Sequence, residues 1–503
     1  MSVTALLLYA LIALISYFLF KQINRLKYWQ KLGIPCEEPT FVLGNLTGVQ
    51  KKCSFADIWL HHYKKFKGTG PFSGFYWFHS PAVLILDLAL VKNILIKDFT
   101  KFTDRGIYHN PADDPLSGRL FLLDGHKWRT MRNKLSPTFT SSKMKFMYPT
   151  LFKVGEEFMQ LLGKMVEKSA TLEVKDLLAR FTTDVVGSCG FGIECSSLRD
   201  PDTEFRVMGK KSTDQRHGNL LGAFMNSFPN ISRKLHLKLT PEIVEQFFMR
   251  IVRETVEYRE RNQVHRNDFM DLLIELKNNK LMKSEDGQTY SNLTLEEVTA
   301  QAFVFYNAGF ETSSSTMSFA LYELAQHPEI QQRAREEVQQ VFEQHNEFSY
   351  ESMKGMQYLD QVISETLRLH TVLPVLNRYC LEDYPVPGHP NYVIKKGMQV
   401  LIPSNAIHRD ADYYSNPDVF NPDNFLPELV KSRDTSHFLA FGEGPRNCIG
   451  MRFGLMQSRI GLALLLKHFK FSICSETKIP MEYNKECYML DSKDGIFLKV
   501  EKI

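Results

Sequence analysis

The chain carries eight cysteines, at 36, 53, 189, 195, 380, 448, 474 and 487, yet no C-x-x-C pair. Without close pairs there is no zinc cluster to read. Eight thiols scattered through 503 residues make no disulfide framework either, so reduced thiols in the cytosol are the simplest expectation. A Gly-, Ser- or Pro-rich linker, an internal repeat and a low-complexity tract are also missing, and nothing divides the body into separate domains. An excess of one charge is lacking too: 61 Lys and Arg against 57 Asp and Glu leave +4. The aromatic residues do not interleave with a basic stripe, so nucleic acid is not an expected partner. With no convincing dinucleotide-binding glycine fingerprint and no reductase-sized extension, any redox chemistry must draw electrons from outside.

Among the features present, residues 2–20 are free of charge. Nineteen helical residues span about 28 Å, close to the hydrocarbon thickness of a bilayer. Tyr17, Phe18 and Phe20 lie near one end, and Lys21, Arg25, Lys27 and Lys31 follow, which predicts that the downstream side stays cytosolic. The start is uncharged and no clear small-residue cleavage site follows, so the stretch reads as an uncleaved anchor. Three stretches result: an anchor over 1–21, a basic hinge stiffened by Pro35 and Pro39 over 22–44, and one body over 45–503.

In that body, apolar spacing of three and four predicts helices over 150–168, 242–262, 294–326, 327–342 and 355–370. Short β-rich stretches occupy 75–86, 379–400 and 487–500, with Pro387-Gly388 as a turn. The expected class is mostly α with small β-sheets, an α+β body around one large core.

One loop carries chemistry. Residues 441–450 read FGEGPRNCIG, with Cys448 among Gly442, Gly444 and Gly450. The glycines allow tight turns and close approach to a flat ring, and successive backbone N–H groups can hold the sulfur as thiolate. The pattern F-x-x-G-x-R-x-C-x-G, from Phe441 to Gly450, resembles the haem-thiolate loop of the cytochrome P-450 superfamily. The resemblance extends from the apolar N-terminus to the C-terminus. It implies a helical, roughly triangular body with a β-rich lobe near the anchor, a haem cofactor, and Cys448 as axial ligand to its iron.

Haem brings two propionates, and burying them demands cations. Trp128 and Arg132 are four apart and share a helix face; with Gly125 before them they match the family's W-x-x-x-R. Arg378 in NRYC and Arg446 match two further propionate partners, and the bidentate fork of arginine suits a carboxylate. Glu365 and Arg368 are spaced as an ordinary helix ion pair, and they also match the family's buried E-x-x-R. There a further arginine normally completes the set, but FNPDNF has Asn424 at that place, a departure that turns a triad into a pair plus an amide.

Within NAGFETSSS, Ala308, Gly309, Glu311 and Thr312 match the family's A-G-x-E-T. Alone the segment reads as a small-residue packing face. Beside the cysteine loop it reads as a proton relay, with Thr312 and Ser313 bonding back to carbonyls and loosening the helix at Gly309. An acid–alcohol pair suits proton delivery to bound dioxygen, and Ala308 leaves room above the iron. A thiolate ligand favours O–O cleavage over oxygen carriage.

Positions matching the family's variable contact segments give the expected substrate wall: Ile107, Leu120, Phe121, Leu221, Phe224, Phe228, Phe303, Phe305, Val372, Leu373, Val375, Leu376, Met489 and Leu490. They describe an apolar, aromatic-rich cavity for lipophilic molecules. The resemblance also implies an endoplasmic-reticulum membrane location with the body in the cytosol, electrons from the membrane-bound NADPH–cytochrome reductase, and cytochrome b5 as a second donor. Lys127, Arg129, Lys134, Lys143, Lys145, Arg452 and Arg459 are candidates for a basic docking face toward such acidic donors. The wording is closest to the insect microsomal branch that handles xenobiotics, plant toxins and insecticides. The alternatives are hydroxylation in hormone or lipid biosynthesis, a haem-thiolate isomerase or dehydratase, and a haem carrier or gas sensor.

Overall fold

A computed structural model describes residues 3–49, 51–213, 219–266, 268–278, 282–283, 289–290, 292–345 and 348–503. Helix α1 (Val3–Leu26) is mostly exposed, and its last turns reach the body, where Gln22 is buried and Leu26 packs on the smaller core. Its segment Thr4–Leu26 is long and apolar enough to cross a membrane, and none of its most apolar 18-residue window is buried. The helix runs past the boundary expected at residue 21 and stops at Leu26. A separate short turn of helix over Tyr28–Leu32 follows and ends at Gly33, which takes a left-handed conformation at φ 65°. The stretch read as a hinge is partly docked on the body. Trp29 is fully buried and donates its indole N–H to the Phe75 carbonyl at 3.1 Å.

The elements that frame the site follow in chain order. Strands β1 (Phe72–Trp77) and β2 (Ser80–Ile85) form a hairpin. Helices α2 (Gly125–Leu135) and α3 (Ser141–Val166) lead to β3 (Thr171–Glu173) and α4 (Val174–Val186). Then come α5 (Glu204–Thr213), α6 (Glu242–Asn262) and the central α7 (Leu295–Gln326). Helices α8 (Pro328–His345) and α9 (Gln357–Leu369) precede β4 (Leu376–Tyr379) and β5 (Gln399–Ile402). Helix α10 (Met451–His468), β6 (Phe469–Ser472) and β7 (Phe497–Lys502) close the chain.

The helices expected at 242–262, 294–326, 327–342 and 355–370 all form, within a few residues. The one expected at 150–168 is longer, since α3 starts at Ser141 and continues through Pro149. Helix α7 begins at a reciprocal cap: Thr294 Oγ1 accepts from the Glu297 N–H at 3.2 Å and the Glu297 carboxylate accepts from the Thr294 N–H at 3.1 Å. It stops where Pro328 follows, which cannot extend the turn. The four-stranded sheet has the order β1-β2-β5-β4, parallel only between β2 and β5. A second sheet has the order β6-β7-β3. One apolar core surrounds α7, and a smaller one lies under the four-stranded sheet. The fold is mostly helical with small sheets, as expected.

Candidate active site

A cavity of about 1470 Å³ opens between α7, the loop before α10, α2 and the four-stranded sheet. Of the eight cysteines, all free thiols, only Cys448 is on its wall among the described residues. The loop reaches that position through local bonds. Cys448 N–H donates to the Phe441 carbonyl at 2.8 Å and Asn447 N–H to the Gly444 carbonyl at 3.1 Å. Gly442 and Gly444 take positive φ values of 68° and 73°, and a Cβ on Gly444 would run into the Leu95 carbonyl oxygen. Gly450 is different from expectation. Its φ of −88° suits any residue, and an added Cβ would meet nothing closer than Phe139 at 3.9 Å, so the need for glycine there is not conformational. Burial pushes the Cys448 thiol up, against a single backbone bond from Gly450 and the nearby Arg132 and Arg105.

Four arginines converge beside it. Arg132 on α2 donates to the Asn447 carbonyl and to its side-chain oxygen, both at 2.9 Å. Arg446 donates to the Thr103 and Leu123 carbonyls, and its guanidinium carbon sits 4.8 Å from the Trp128 ring centroid. Arg378 points in from β4, where Asn377 takes one of its N–H groups at 2.8 Å. The fourth, Arg105, was not marked from the sequence. It donates to the Phe121 carbonyl at 2.9 Å and stacks on the Phe121 ring at 4.1 Å. A signal existed in the turn Asp104-Arg105-Gly106, where Gly106 has a φ of 66° and Asp104 Oδ1 receives the Gly125 N–H at 2.7 Å.

Burial, then the charge of Arg446, pushes the Arg378 guanidinium down to about 9. Burial likewise pushes Arg446 down to about 10, and Arg105 falls well below its usual range because it is buried among the other three. The Nε–H groups of Arg378 and Arg446 are buried without a partner. Crowded cations with orphaned donors call for an anion of more than one charge. A haem with its two propionates at these arginines and its iron at Cys448 fits that demand.

Glu365 and Arg368 are both fully buried and joined by two bonds of 2.7 and 2.8 Å. Arg368 also serves three loop carbonyls, those of His408, Pro417 and Val419. Asn424 fills the departure seen in the sequence by donating its amide to Glu365 Oε1 at 3.1 Å.

Across the cavity, Ala308 and Thr312 are on the wall. Thr312 donates its hydroxyl to the Ala308 carbonyl at 2.6 Å. Ser313 is buried with no such bond among those observed. The expected loosening takes a distinct form, for α7 is unbroken here. Five consecutive carbonyls, 308 to 312, each accept an extra side-chain bond. The donors are Thr312 at 2.6 Å, Gln457 at 3.3 Å, Thr182 at 2.9 Å, Ser314 at 3.0 Å and Thr316 at 2.8 Å. Gly309 serves packing, since a Cβ would come within 2.8 Å of Val186 on α4. Glu311 is not on the cavity wall. It turns toward α4, and burial pushes its carboxyl up while Lys175 pulls it down.

Of the expected substrate contacts, Ile107, Leu120, Phe121, Leu221, Phe305, Val372, Leu373, Val375, Leu376 and Met489 line the cavity. Four do not. Phe224 and Phe228 are exposed and pack on each other, centroids 5.3 Å apart. Phe303 is buried behind the wall against Phe248 at 4.9 Å. Leu490 turns into the core beside Met489, with its N–H on the Val372 carbonyl at 2.9 Å. The basic face also shrinks. Lys134 is buried, and Arg459 is held by Asp360 at 2.8 and 2.7 Å.

A family model described as Cytochrome P450 matches residues 34–500. Probable cytochrome P450 6a21 of Drosophila melanogaster is 64% identical over 505 residues, covering 100% of both chains. Cytochrome P450 6a9 of the same species is 63% identical with the same coverage. Cytochrome P450 6A1 of Musca domestica is 50% identical, covering 99% of this chain and 98% of its own.

Proposed function

The chain belongs to the cytochrome P450 family, a haem-thiolate monooxygenase of the insect type, and from that premise we propose that it oxidises lipophilic xenobiotics, plant toxins and insecticides at a membrane. The observation that carries this reading is the shared cavity. Cys448, four arginines, Thr312 and an apolar wall face one space of about 1470 Å³, large enough for a cofactor and a lipophilic guest.

Haem ligated by a cysteine thiolate supplies activation of dioxygen, with one atom going into the substrate and the other leaving as water. Cys448 would ligate the iron, and Arg105, Arg132, Arg378, Arg446 and Trp128 would hold the propionates. Phe441, Gly442 and Gly450 would pack against the group from the cysteine loop, and the small Ala308 would leave room for dioxygen. Thr312 keeps its hydroxyl proton on the Ala308 carbonyl and leaves its lone pairs free to accept a proton arriving from Glu311. Burial pushes that carboxyl up, which favours its holding a proton that it can pass on. The apolar wall excludes water and selects for lipophilic guests.

Helix α1 anchors the chain in the endoplasmic-reticulum membrane with the body in the cytosol, the side marked by Lys21 and Arg25. Electrons come from NADPH through the membrane-bound reductase, with cytochrome b5 as a second donor. Lys127, Arg129, Lys143, Lys145 and Arg452 remain as the docking cations. Reconstitution of the full chain with reductase and NADPH against a panel of lipophilic compounds tests the reading. Oxygenated products by mass spectrometry, dependent on NADPH, are expected; rearranged products without NADPH or reductase would show an isomerase instead.

A further inference from the structure

Three of the chain's four tryptophans, Trp29, Trp59 and Trp77, gather in the smaller core. Trp59, on the helix Phe55–Phe66, is fully buried. Trp77 ends β1, is half-buried and is on the cavity wall. The two indoles are stacked, with centroids 5.9 Å apart and planes 9° from parallel. Phe55 lies against both, 6.4 Å from Trp59 and 6.1 Å from Trp77. Tyr488, also on the wall, meets Phe55 edge-on at 5.3 Å. Its hydroxyl accepts the Asn377 amide at 2.8 Å, and Asn377 takes an N–H of Arg378 on its own carbonyl. A row of rings thus runs from the arginine cluster to the outer end of the cavity.

Packing accounts for apolar rings in a core. It does not ask for indoles, which bring an N–H donor that is costly to bury unpaired. The Trp59 indole N–H is buried with no partner among the described residues. Indole is, however, the aromatic side chain that gives up one electron most readily, with the tyrosine phenol next. Stacking spreads the resulting positive charge over two rings. An N–H that faces no acceptor keeps its proton, so the electron can be returned with no proton moved.

We infer that Trp77, backed by Trp59, passes electrons from small one-electron reductants to the haem by way of Phe55 and Tyr488, and so discharges oxidising equivalents that no guest consumes. The inference rests on the haem-thiolate chemistry of the family and holds whichever guest is oxidised. Hydrogen peroxide at the site has its O–O bond broken and takes up two electrons and two protons, leaving as two waters. Each electron comes from the indole pair, and one ascorbate ion refills it. That ion becomes its radical and sheds a proton to solvent. Without this route the same equivalents fall on the nearest oxidisable group, the Cys448 thiolate included.

Treating the guest-free, full-length haem protein with hydrogen peroxide tests this without reductase or NADPH. Electron paramagnetic resonance should show a tryptophan radical, and peptide mass spectrometry should find Trp77 oxidised before other residues. Ascorbate should suppress both and be consumed two ions per peroxide. Trp77→Phe keeps a ring in the stack and should abolish the radical, slow ascorbate consumption several-fold and hasten haem loss. Protein grown with 5-fluorotryptophan, whose indoles keep their shape but are harder to oxidise, should show the same changes. Oxidation that never falls on an indole overturns the inference. So does ascorbate consumption that neither change slows, which would mean that the reductant enters the cavity itself. An effect of Trp77→Phe that the fluorinated protein lacks assigns the ring to packing and overturns it too. NADPH-dependent oxygenation of lipophiles is measured apart and survives every one of these results.

Discussion

Leu439, at the root of the cysteine loop, donates its backbone N–H to Nε2 of His408 at 2.7 Å. The other ring nitrogen pairs with Thr371 Oγ1 at 2.7 Å. Because Nε2 accepts, the proton resides on Nδ1, and Thr371 receives it while donating onward to the Leu367 and Arg368 carbonyls. The His408 carbonyl meanwhile takes an N–H from Arg368 at 2.8 Å. One neutral imidazole thus ties the Glu365–Arg368 pair to the loop that presents Cys448.

His408→Leu should destabilise the protein by about 2–4 kcal/mol, because it leaves the buried Leu439 N–H without an acceptor and takes from Thr371 the donor its oxygen accepts. The reduced carbon-monoxide spectrum should also move more readily to the form that has lost its thiolate ligand. Urea unfolding followed by circular dichroism, with the spectrum recorded alongside, checks both. An unaltered spectrum and midpoint would show that the ring is a bystander.

Acid should act through the same group. Burial, with Arg368 adding to it, pushes His408 down to about 3, and burial pushes His62 down to about 4. Both rings are neutral in the fold but charge in the unfolded chain near pH 6.5. Stability is therefore complete above about 6.5 and falls by about 1.4 kcal/mol per pH unit per group below it. The fall should continue toward the two folded values. Unfolding midpoints at several pH values measure the slope, which His408→Leu should reduce by one group's share.

Glu365→Gln and Asn424→Ala should differ sharply. The first leaves Arg368 buried without its counter-charge, at a cost of about 3–5 kcal/mol. The second removes one 3.1 Å amide bond, about 1 kcal/mol. Thermal midpoints and haem content rank the two. Similar losses would mean that Asn424 has taken over much more of the family arginine's role than its single bond suggests.

Much of this was legible in the sequence where periodicity or spacing is strong. Helices at 242–262 and 294–326 repeat apolar residues over many turns, and the Cys448 loop fixes several residues at set distances. Tertiary direction was less legible. Glu311 and Thr312 are neighbours in sequence, but the 100° step between helical neighbours sends only Thr312 to the cavity. Met489 and Leu490 part for a similar reason, one facing the cavity and the other the core. Phe303 carries the right chemistry on the wrong face. Arg105 was passed over because a lone arginine in a loop has no pattern, and its meaning arises only from what surrounds it.

Cofactor retention should follow the arginine cluster. Arg105→Ala removes a cation that the other three now crowd, along with its share of propionate binding. Haem should leave roughly tenfold or more faster, as for loss of one charge-assisted bond. Lys127→Ala, an exposed charge on the same helix as Arg132, should leave the rate unchanged. Transfer of haem to an excess of apomyoglobin provides the rate. Equal rates for both variants would remove Arg105 from the set of propionate partners.

Thr312 and Glu311 should fail in different ways. Thr312 is on the cavity wall and its hydroxyl is bonded to the Ala308 carbonyl at 2.6 Å, so under the proposed relay Thr312→Ala would remove the last proton carrier before the reacting oxygen. Electrons should then be diverted, with product per NADPH falling several-fold and hydrogen peroxide rising. Thr312→Ser keeps the hydroxyl and should keep most of the coupling. Glu311 lies off the wall beside Lys175, one step further back, so Glu311→Gln should slow turnover more than it uncouples it. NADPH consumption, peroxide and product measured together separate the two. A product-to-NADPH ratio that Thr312→Ala leaves unchanged across several substrates would mean that protons reach the oxygen by water alone, and that the five side-chain bonds to carbonyls 308–312 are a packing feature of α7.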